Sequence, residues 1–260
     1  MQQHAAPAAP DWAQAIKVPV VITLYFWLIK IMATTVGETA ADFLSVDLHF
    51  GLGGTSVVMS ALFVAVLVAQ LRARRYTPWL YWLTVTLISV VGTLLTDNLT
   101  DQLGVPLAVS TALFAAALLA TFVVWWRSER ALSIHSVTRG KREGFYWAAI
   151  LFTFALGTAG GDLAAERLHL GYVLSAALFG GAIAVVAVAF FRFRASPVLT
   201  FWIAYILTRP LGATLGDWLA KPLGEGGLGL GTMGTSALFL TAIVLLVLYL
   251  TASRRDVARA

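Results

Sequence analysis

Long apolar runs separated by short polar stretches fill almost the whole chain. At a rise of about 1.5 Å per residue, each of the eight longest runs crosses most or all of a hydrocarbon core of about 30 Å as a helix. The alternating strands of about ten residues that build transmembrane barrels are not part of this pattern. The pattern therefore predicts an all-α membrane protein with eight transmembrane helices, at residues 19–39, 55–71, 79–96, 106–126, 145–162, 171–191, 198–217 and 232–252.

The composition agrees with this pattern and excludes several classes of protein. Of the 260 residues, 59% are hydrophobic and only 12% are charged, whereas a soluble domain usually has about 25% charged residues. A soluble enzyme, a nucleic-acid-binding domain and a disordered tail are therefore excluded. The chain has no cysteine, so disulfides, thiolate metal sites and a cysteine nucleophile are excluded as well. The composition therefore predicts that the protein is embedded in a lipid bilayer.

Positive residues lie on one side of the predicted topology. Of the 18 Lys and Arg residues, 14 fall in the tails or in the loops that follow even-numbered helices, and the positive-inside rule makes these loops and both termini cytoplasmic. Residues 1–17, which lack the order of regions of a signal peptide, and residues 253–260 are predicted to be cytoplasmic tails. The net charge of +5 is thus a topology signal and does not indicate a nucleic-acid partner.

The odd-numbered helices end in a repeated motif, and the even-numbered helices begin with another. The first appears as ATTVGETAADFL, GTLLTDNLTDQL, GTAGGDLAAERL and GATLGDWLAKPL, and the second as MSALF, STALF, SAALF and TSALF. A two-helix unit returns to its starting side, so the repeats share one orientation. The sequence predicts one transmembrane domain, residues 18–252. It consists of four parallel helical hairpins around a pseudo-fourfold axis, at about residues 18–75, 76–130, 143–195 and 197–252.

These two motifs resemble a bacterial family of membrane proteins built from four copies of a "repeat of unknown function". The resemblance covers about residues 18–252 and implies a multi-pass protein of the bacterial inner membrane with eight helices. It implies no particular activity. The fourth repeat departs from the pattern, with Ala213 in place of threonine and Lys221 in place of the second acid. The second repeat has Thr96 where a glycine is expected.

Carboxylates recur in the motif at helical spacing. Because positions i and i+4 share a helix face, each of the first three motifs projects two carboxylates and a threonine in one direction. If the hairpins pack around one axis, these oxygens converge near the outer side. Oxygen ligands suit hard cations such as Mg²⁺, Ca²⁺ and Mn²⁺, or a proton relay. The candidate ion- or substrate-binding residues are Glu38, Asp42, Asp97, Asp101, Asp162, Glu166, Asp217, Thr34, Thr93 and Thr158, with Glu38, Asp97, Asp162 and Asp217 as metal ligands.

Two further features accompany the acids. Small residues four apart, such as Gly157 and Gly161, are typical of closely crossing membrane helices, and we interpret them as packing residues. Hydroxyl groups near the starts of the even-numbered helices, among them Ser110, Ser175 and Thr235, are expected to enter the same polar site.

Two cationic residues lie inside predicted helices. Lys30 and Arg209 occupy equivalent positions in repeats one and four, about two helical turns before the acid, where repeats two and three have Ser89 and Phe154. A charge at this depth is unfavourable on a lipid-facing surface, so both side chains are expected to face the interior and pair with carboxylates. They are candidates either for a structural ion pair or for a fixed cation that gates a polar path.

The leading hypothesis is therefore a transporter or channel-like protein that moves a small cation, either a divalent metal or protons, and is not an enzyme. A scaffold whose acids are structural, and an intramembrane enzyme with paired carboxylates, remain alternatives; no catalytic motif such as HExxH or GxSxG is present. No cofactor is indicated apart from a bound divalent cation. The sequence leaves the oligomeric state open, including a homo-oligomer.

Overall fold

Eight long helices make up nearly all of the protein in a computed structural model, which describes residues 16–138 and 140–257. The described residues form no strand. The helices are α1 (Leu24–Asp42), α2 (Gly51–Arg72), α3 (Pro78–Asp97), α4 (Leu107–Glu129), α5 (Lys141–Asp162), α6 (Gly171–Phe193), α7 (Pro197–Ala220) and α8 (Gly231–Ser253). Each coincides with one predicted segment, so the all-helical prediction is confirmed.

The first helix begins later than predicted. The apolar run starts at residue 19, but the backbone N–H groups of Val20 and Val21 donate to the carbonyl oxygen of Asp256, at 3.0 and 3.2 Å. These groups are held by the carboxyl-terminal segment, and helical geometry begins only at Leu24. The predicted start at residue 19 is therefore wrong, because hydropathy does not show which backbone groups bind a distant segment.

Composition makes most of these helices suitable for a membrane. Within the described residues, α2 to α8 are long and apolar enough to span one. The remaining helix, α1, carries Lys30 and Glu38 in its interior, and these two charges lower its mean hydropathy. The chain is accordingly a multi-pass membrane protein with an internal repeat.

The odd-numbered helices form an inner ring and the even-numbered helices surround it. Around the ring, α1 packs on α3, α3 on α5, α5 on α7, and α7 on α1. Each even-numbered helix packs chiefly on the odd-numbered helix of the next repeat: α2 on α3, α4 on α5, α6 on α7, and α8 back on α1. The result is a buried ring with exposed outer helices, because 78% of the apolar span of α3 is buried but only 6% of that of α6.

Glycines allow the inner helices to approach one another closely. A Cβ atom added at four of them would overlap the neighbouring helix, so a larger side chain would push the two helices apart. The predicted packing role of the small residues is confirmed at these positions. Going round the ring, each glycine and the residue that its Cβ would overlap are Gly37 and Ser89, Gly92 and Phe154, Gly157 and Arg209, and Gly212 and Thr34.

The two ends of the inner ring differ. At the end where the odd-numbered helices begin, residues 16–18 are buried, and Lys17 Nζ forms a buried salt bridge of 2.6 Å with Glu143 Oε2. The hydroxyls of Tyr81 and Tyr146 lie 2.6 Å apart at the same end. These contacts hold this end of the bundle together.

At the opposite end, three odd-numbered helices continue into a five-residue π-helical turn, directly after Asp42, Asp97 and Asp162. These turns are Phe43–Asp47, Asn98–Gln102 and Leu163–Arg167. The fourth helix stops at Ala220, because Pro222 cannot continue it. Turns of this kind are rare and occur frequently at functional sites.

The close helix contact at Gly157 can be tested by substitution. In Gly157→Ala the new methyl group would overlap Cβ and Cγ of Arg209, atoms too near the backbone to move aside. We expect a loss of about 1–3 kcal/mol in the free energy of unfolding, measured by thermal unfolding in detergent. The matched control is Gly160→Ala on the same helix, where nothing lies within 4 Å of the new atom. Equal losses in the two variants would contradict this packing.

Candidate cation site

Equivalent residues of the four repeats line the axis of the inner ring in successive layers. The layer formed by Thr34, Ser89, Phe154 and Arg209 is fully buried, and the next, formed by Glu38, Thr93, Thr158 and Ala213, is buried as well. One helical turn later lie Asp42, Asp97, Asp162 and Asp217, of which Asp217 is buried and the other three are partly exposed. The polar positions predicted from the repeat thus lie toward the interior of the bundle. The predicted register of repeat one, which makes Lys30 equivalent to Arg209 and Glu38 equivalent to Asp97, is wrong by four residues, because Asp42, like Asp97 and Asp162, is the last residue before a π-helical turn.

Arg209 connects all four repeats at the centre of this arrangement. Its Nη2 donates to the hydroxyls of Thr93 and Thr158, the latter at 2.6 Å. Its Nη1 donates to the carbonyl oxygen of Thr34 at 2.5 Å, and its Nε to that of Phe154 at 3.3 Å. The planar guanidinium group can hold several acceptors at fixed angles, which a lysine cannot do. One side chain of repeat four therefore binds groups from repeats one, two and three.

This contact gives a physical reason for the departure of repeat four from the motif. Repeats one to three place Glu38, Thr93 and Thr158 in the layer where repeat four has the fully buried Ala213. One turn earlier, repeat four supplies Arg209, whose Nη2 donates to the side-chain oxygens of these three residues. The fourth repeat thus contributes the donor to a set of acceptors from the other three.

The carboxylate of Glu38 is the anionic partner of Arg209. Its Oε2 lies 3.2 Å from Arg209 Nη2 and accepts a hydrogen bond of 3.3 Å from the hydroxyl of Thr93. The expected ion pair of Arg209 is therefore present. Since both charges are buried, the pair is stable only because hydrogen bonds satisfy the remaining donors of the guanidinium group.

Three of the four proposed metal ligands converge. One carboxylate oxygen from each of Glu38, Asp162 and Asp217 lies within 4.8 Å of the other two. Asp97, the fourth proposed ligand, is not part of this group, which we call the carboxylate trio. The three oxygens come from α1, α5 and α7, three neighbouring helices of the inner ring.

The second acids of the motif lie further out. Asp42 is half-buried and its Oδ2 accepts from Lys221 Nζ at 3.3 Å, while Asp101 and Glu166 are exposed. Burial alone would lower the pKa of Lys221, but the Asp42 and Asp217 carboxylates outweigh burial and raise it, so Lys221 stays charged. The second acids thus do not belong to the trio.

Lys30 does not form the expected ion pair. Its Nζ has no hydrogen-bond partner among the described residues and lies 4.2 Å from the ring centroid of Phe154 and 4.3 Å from that of Tyr205. The expected pairing with a carboxylate is therefore wrong for the described part of the chain. Glu38 forms its ion pair with Arg209 instead, and two aromatic rings surround the amine of Lys30. The sequence assigns no role to these rings, because Phe154 and Tyr205 lie on other helices than Lys30.

Buried hydroxyls recur at one position of all four outer helices. These hydroxyls have no partner among the described residues, and they belong to Thr55, Ser110, Ser175 and Thr235. Thr55, Ser175 and Thr235 each lie four residues after the glycine that begins their helix. Thr55, and not Met59 as the motif alignment predicts, is therefore the equivalent residue of repeat one.

The fold and the repeated motif together define a class, the helical multi-pass membrane proteins made of internal repeats. The family described as "Repeat of Unknown Function (DUF347)" matches the chain four times, at residues 25–76, 80–131, 145–196 and 200–256. The chain belongs to this family, as the resemblance of its motifs indicated. No curated protein and no solved structure matches the chain.

The Arg209 network can be tested through its buried charge. Arg209→Met leaves Glu38 buried without its cation, and we expect a loss of about 3–5 kcal/mol in the free energy of unfolding. The double variant Arg209→Met/Glu38→Gln removes both charges and should recover part of this loss in thermal unfolding. The control is Arg192→Met, at an exposed position of α6. A double variant less stable than Arg209→Met would show that the pair is not the dominant interaction.

Proposed function

We propose that this protein is a transporter or channel-like protein of the bacterial inner membrane that moves a small cation through the carboxylate trio. In this proposal all eight helices span the membrane, both termini are cytoplasmic, and the four repeats surround a pseudo-fourfold axis along the membrane normal. The observation that carries it is the convergence of oxygens from Glu38, Asp162 and Asp217 within 4.8 Å of one another. The protein is not proposed to be an enzyme.

The chemistry of the trio favours a hard divalent cation. Carboxylate oxygens are the preferred ligands of Mg²⁺, Ca²⁺ and Mn²⁺. Four motif acids accompany only two cationic side chains, Lys30 and Arg209, inside the bundle, so negative formal charge is in excess there. A divalent cation would reduce this excess. Ionisable groups at membrane depth are costly and usually belong to ion pathways, which supports transport over simple packing.

The packing of the helices supports the proposed symmetry. Every even-numbered helix lies on the odd-numbered helix of the following repeat, and α8 completes the series by lying on α1. A cyclic order of this kind is what four equivalent hairpins around one axis would produce. The acids lie at one end of the inner ring and most basic residues at the other, which is the distribution that the positive-inside rule associates with cytoplasmic termini.

A structural role is the second candidate, and one observation favours it. Arg209 binds all three other repeats and Glu38, so the buried polar groups could serve only to hold the ring together. In such a membrane scaffold the carboxylates would matter for folding and not for cation binding. The bilayer and a partner protein would then be the only partners.

Cation binding by the purified protein distinguishes the two candidates. The measurement is thermal stability in detergent with Mn²⁺, Mg²⁺, Ca²⁺, Zn²⁺ or Ni²⁺, since a ligand at about 100 times its Kd stabilises the folded state by about 2.7 kcal/mol. We expect a shift with at least one hard cation that disappears in Asp162→Asn. A folded wild-type protein that responds to none of the five ions would overturn the proposal.

Two variants serve as matched controls. Glu166→Gln removes an exposed carboxylate one turn away on the same chain segment, and Asp97→Asn removes the motif acid outside the trio. We expect both to retain the cation-dependent shift. Loss of the shift in Asp97→Asn but not in Asp162→Asn would place the site elsewhere. Cation-dependent flux in proteoliposomes, with the same variants, then tests whether binding leads to transport.

A further inference from the structure

The amine of Lys30 is enclosed at the centre of the bundle without an anion. The side chain is fully buried, and within the described residues Nζ has no hydrogen-bond partner. Its nearest contacts are the faces of the Phe154 and Tyr205 rings, at 4.2 and 4.3 Å. Two aromatic faces attract an ammonium group, but they do not replace the water or the counter-ion that a buried charge needs. The environment therefore holds the proton of Lys30 only weakly.

Among the groups around its amine, Lys30 is the residue that can change its charge. Helix α5 presents the ring of Phe154, and α7 presents the ring of Tyr205 and the nearby charge of Arg209. Helix α3 has no charged residue before Asp97 at its end, and α8, which packs on the outer side of α1, has none. Arginine keeps its proton under all ordinary conditions, and burial disfavours the charged phenolate that Tyr205 would form on losing its proton. A proton exchanged beside these groups therefore comes from the amine.

The charge at the trio and the charge of Lys30 interact electrostatically. Glu38 and Lys30 lie on the same helix, eight residues or about 12 Å apart along its axis, and little water separates them because the intervening layer is fully buried. Charges in such surroundings interact far more strongly than in water. The carboxylates of an empty trio attract the ammonium group, whereas a divalent cation in the trio repels it.

We propose that Lys30 is the proton-exchanging residue of this protein: it is protonated when the carboxylate trio is empty and releases its proton when a cation binds there. In the release step an N–H bond of the ammonium group breaks, its electron pair stays on Nζ, and the proton passes to solvent. The buried hydroxyl of Tyr205, whose ring contacts Nζ and which has no partner among the described residues, is the neighbouring group able to relay it. This inference rests on the proposed function and makes it a cation–proton exchange.

Proton counting during cation binding tests the inference. Isothermal titration calorimetry of the full-length protein, with whichever of the five screened cations stabilises it most, is carried out at one pH in two buffers of different ionisation heat. We expect Lys30→Met to bind the cation but to release about one proton fewer than wild type. The matched control is Lys141→Met, an exposed lysine at the start of α5, which should release as many protons as wild type.

The outcomes separate this inference from the proposed function. If no cation binds to the wild-type protein, both fail. If cations bind but Lys30→Met releases as many protons as wild type, the exchange role of Lys30 is overturned and the cation site remains. Should Lys30→Met not fold, Lys30→Arg decides, because a permanently charged side chain cannot release the proton. Proton release by Lys30→Arg equal to that of wild type would overturn the inference.

Discussion

A guanidinium group buried inside the bundle must be surrounded by acceptors, and most of this structure follows from how Arg209 meets that requirement. No single neighbouring helix can supply them all. The acceptors come from the carbonyl groups of Thr34 and Phe154, the hydroxyls of Thr93 and Thr158, and the carboxylate of Glu38. These groups lie on three other helices, so burying Arg209 brings the four odd-numbered helices together in one ring. Gly157 lies against Cβ and Cγ of Arg209, and a larger residue at position 157 would overlap these atoms.

The same residue makes the four repeats unequal. Four identical repeats would place four equivalent carboxylates around an axis with no cation among them. Arg209 instead takes one oxygen of Glu38, while Asp162 and Asp217 have no ion-pair partner among the described residues. The polar site is therefore asymmetric even though the helices around it repeat.

Features that depend on local pattern could be predicted from the sequence, and features that depend on distant contacts could not. Hydropathy predicted all eight helices, and the repeat placed the motif acids on inward faces, because both follow from spacing along one helix. The position of Lys30 between two rings could not be predicted, since Tyr205 lies on another helix far along the chain. Neither could the pairing of each even-numbered helix with the next repeat, or the salt bridge of Lys17 with Glu143, whose partners are 126 residues apart.

The non-repeated parts of the chain also bear on how a cation could pass through the proposed pathway. Repeats of one orientation do not by themselves provide inward-open and outward-open states, which inverted repeats supply by exchanging conformations. Any change of access must then arise where the repeats differ. Residues 16–18, which precede the first repeat, are buried where the odd-numbered helices begin, and Lys17 is fixed there by Glu143 and by the carbonyl oxygen of Leu71. Opening this end of the inner ring therefore requires breaking the Lys17 contacts.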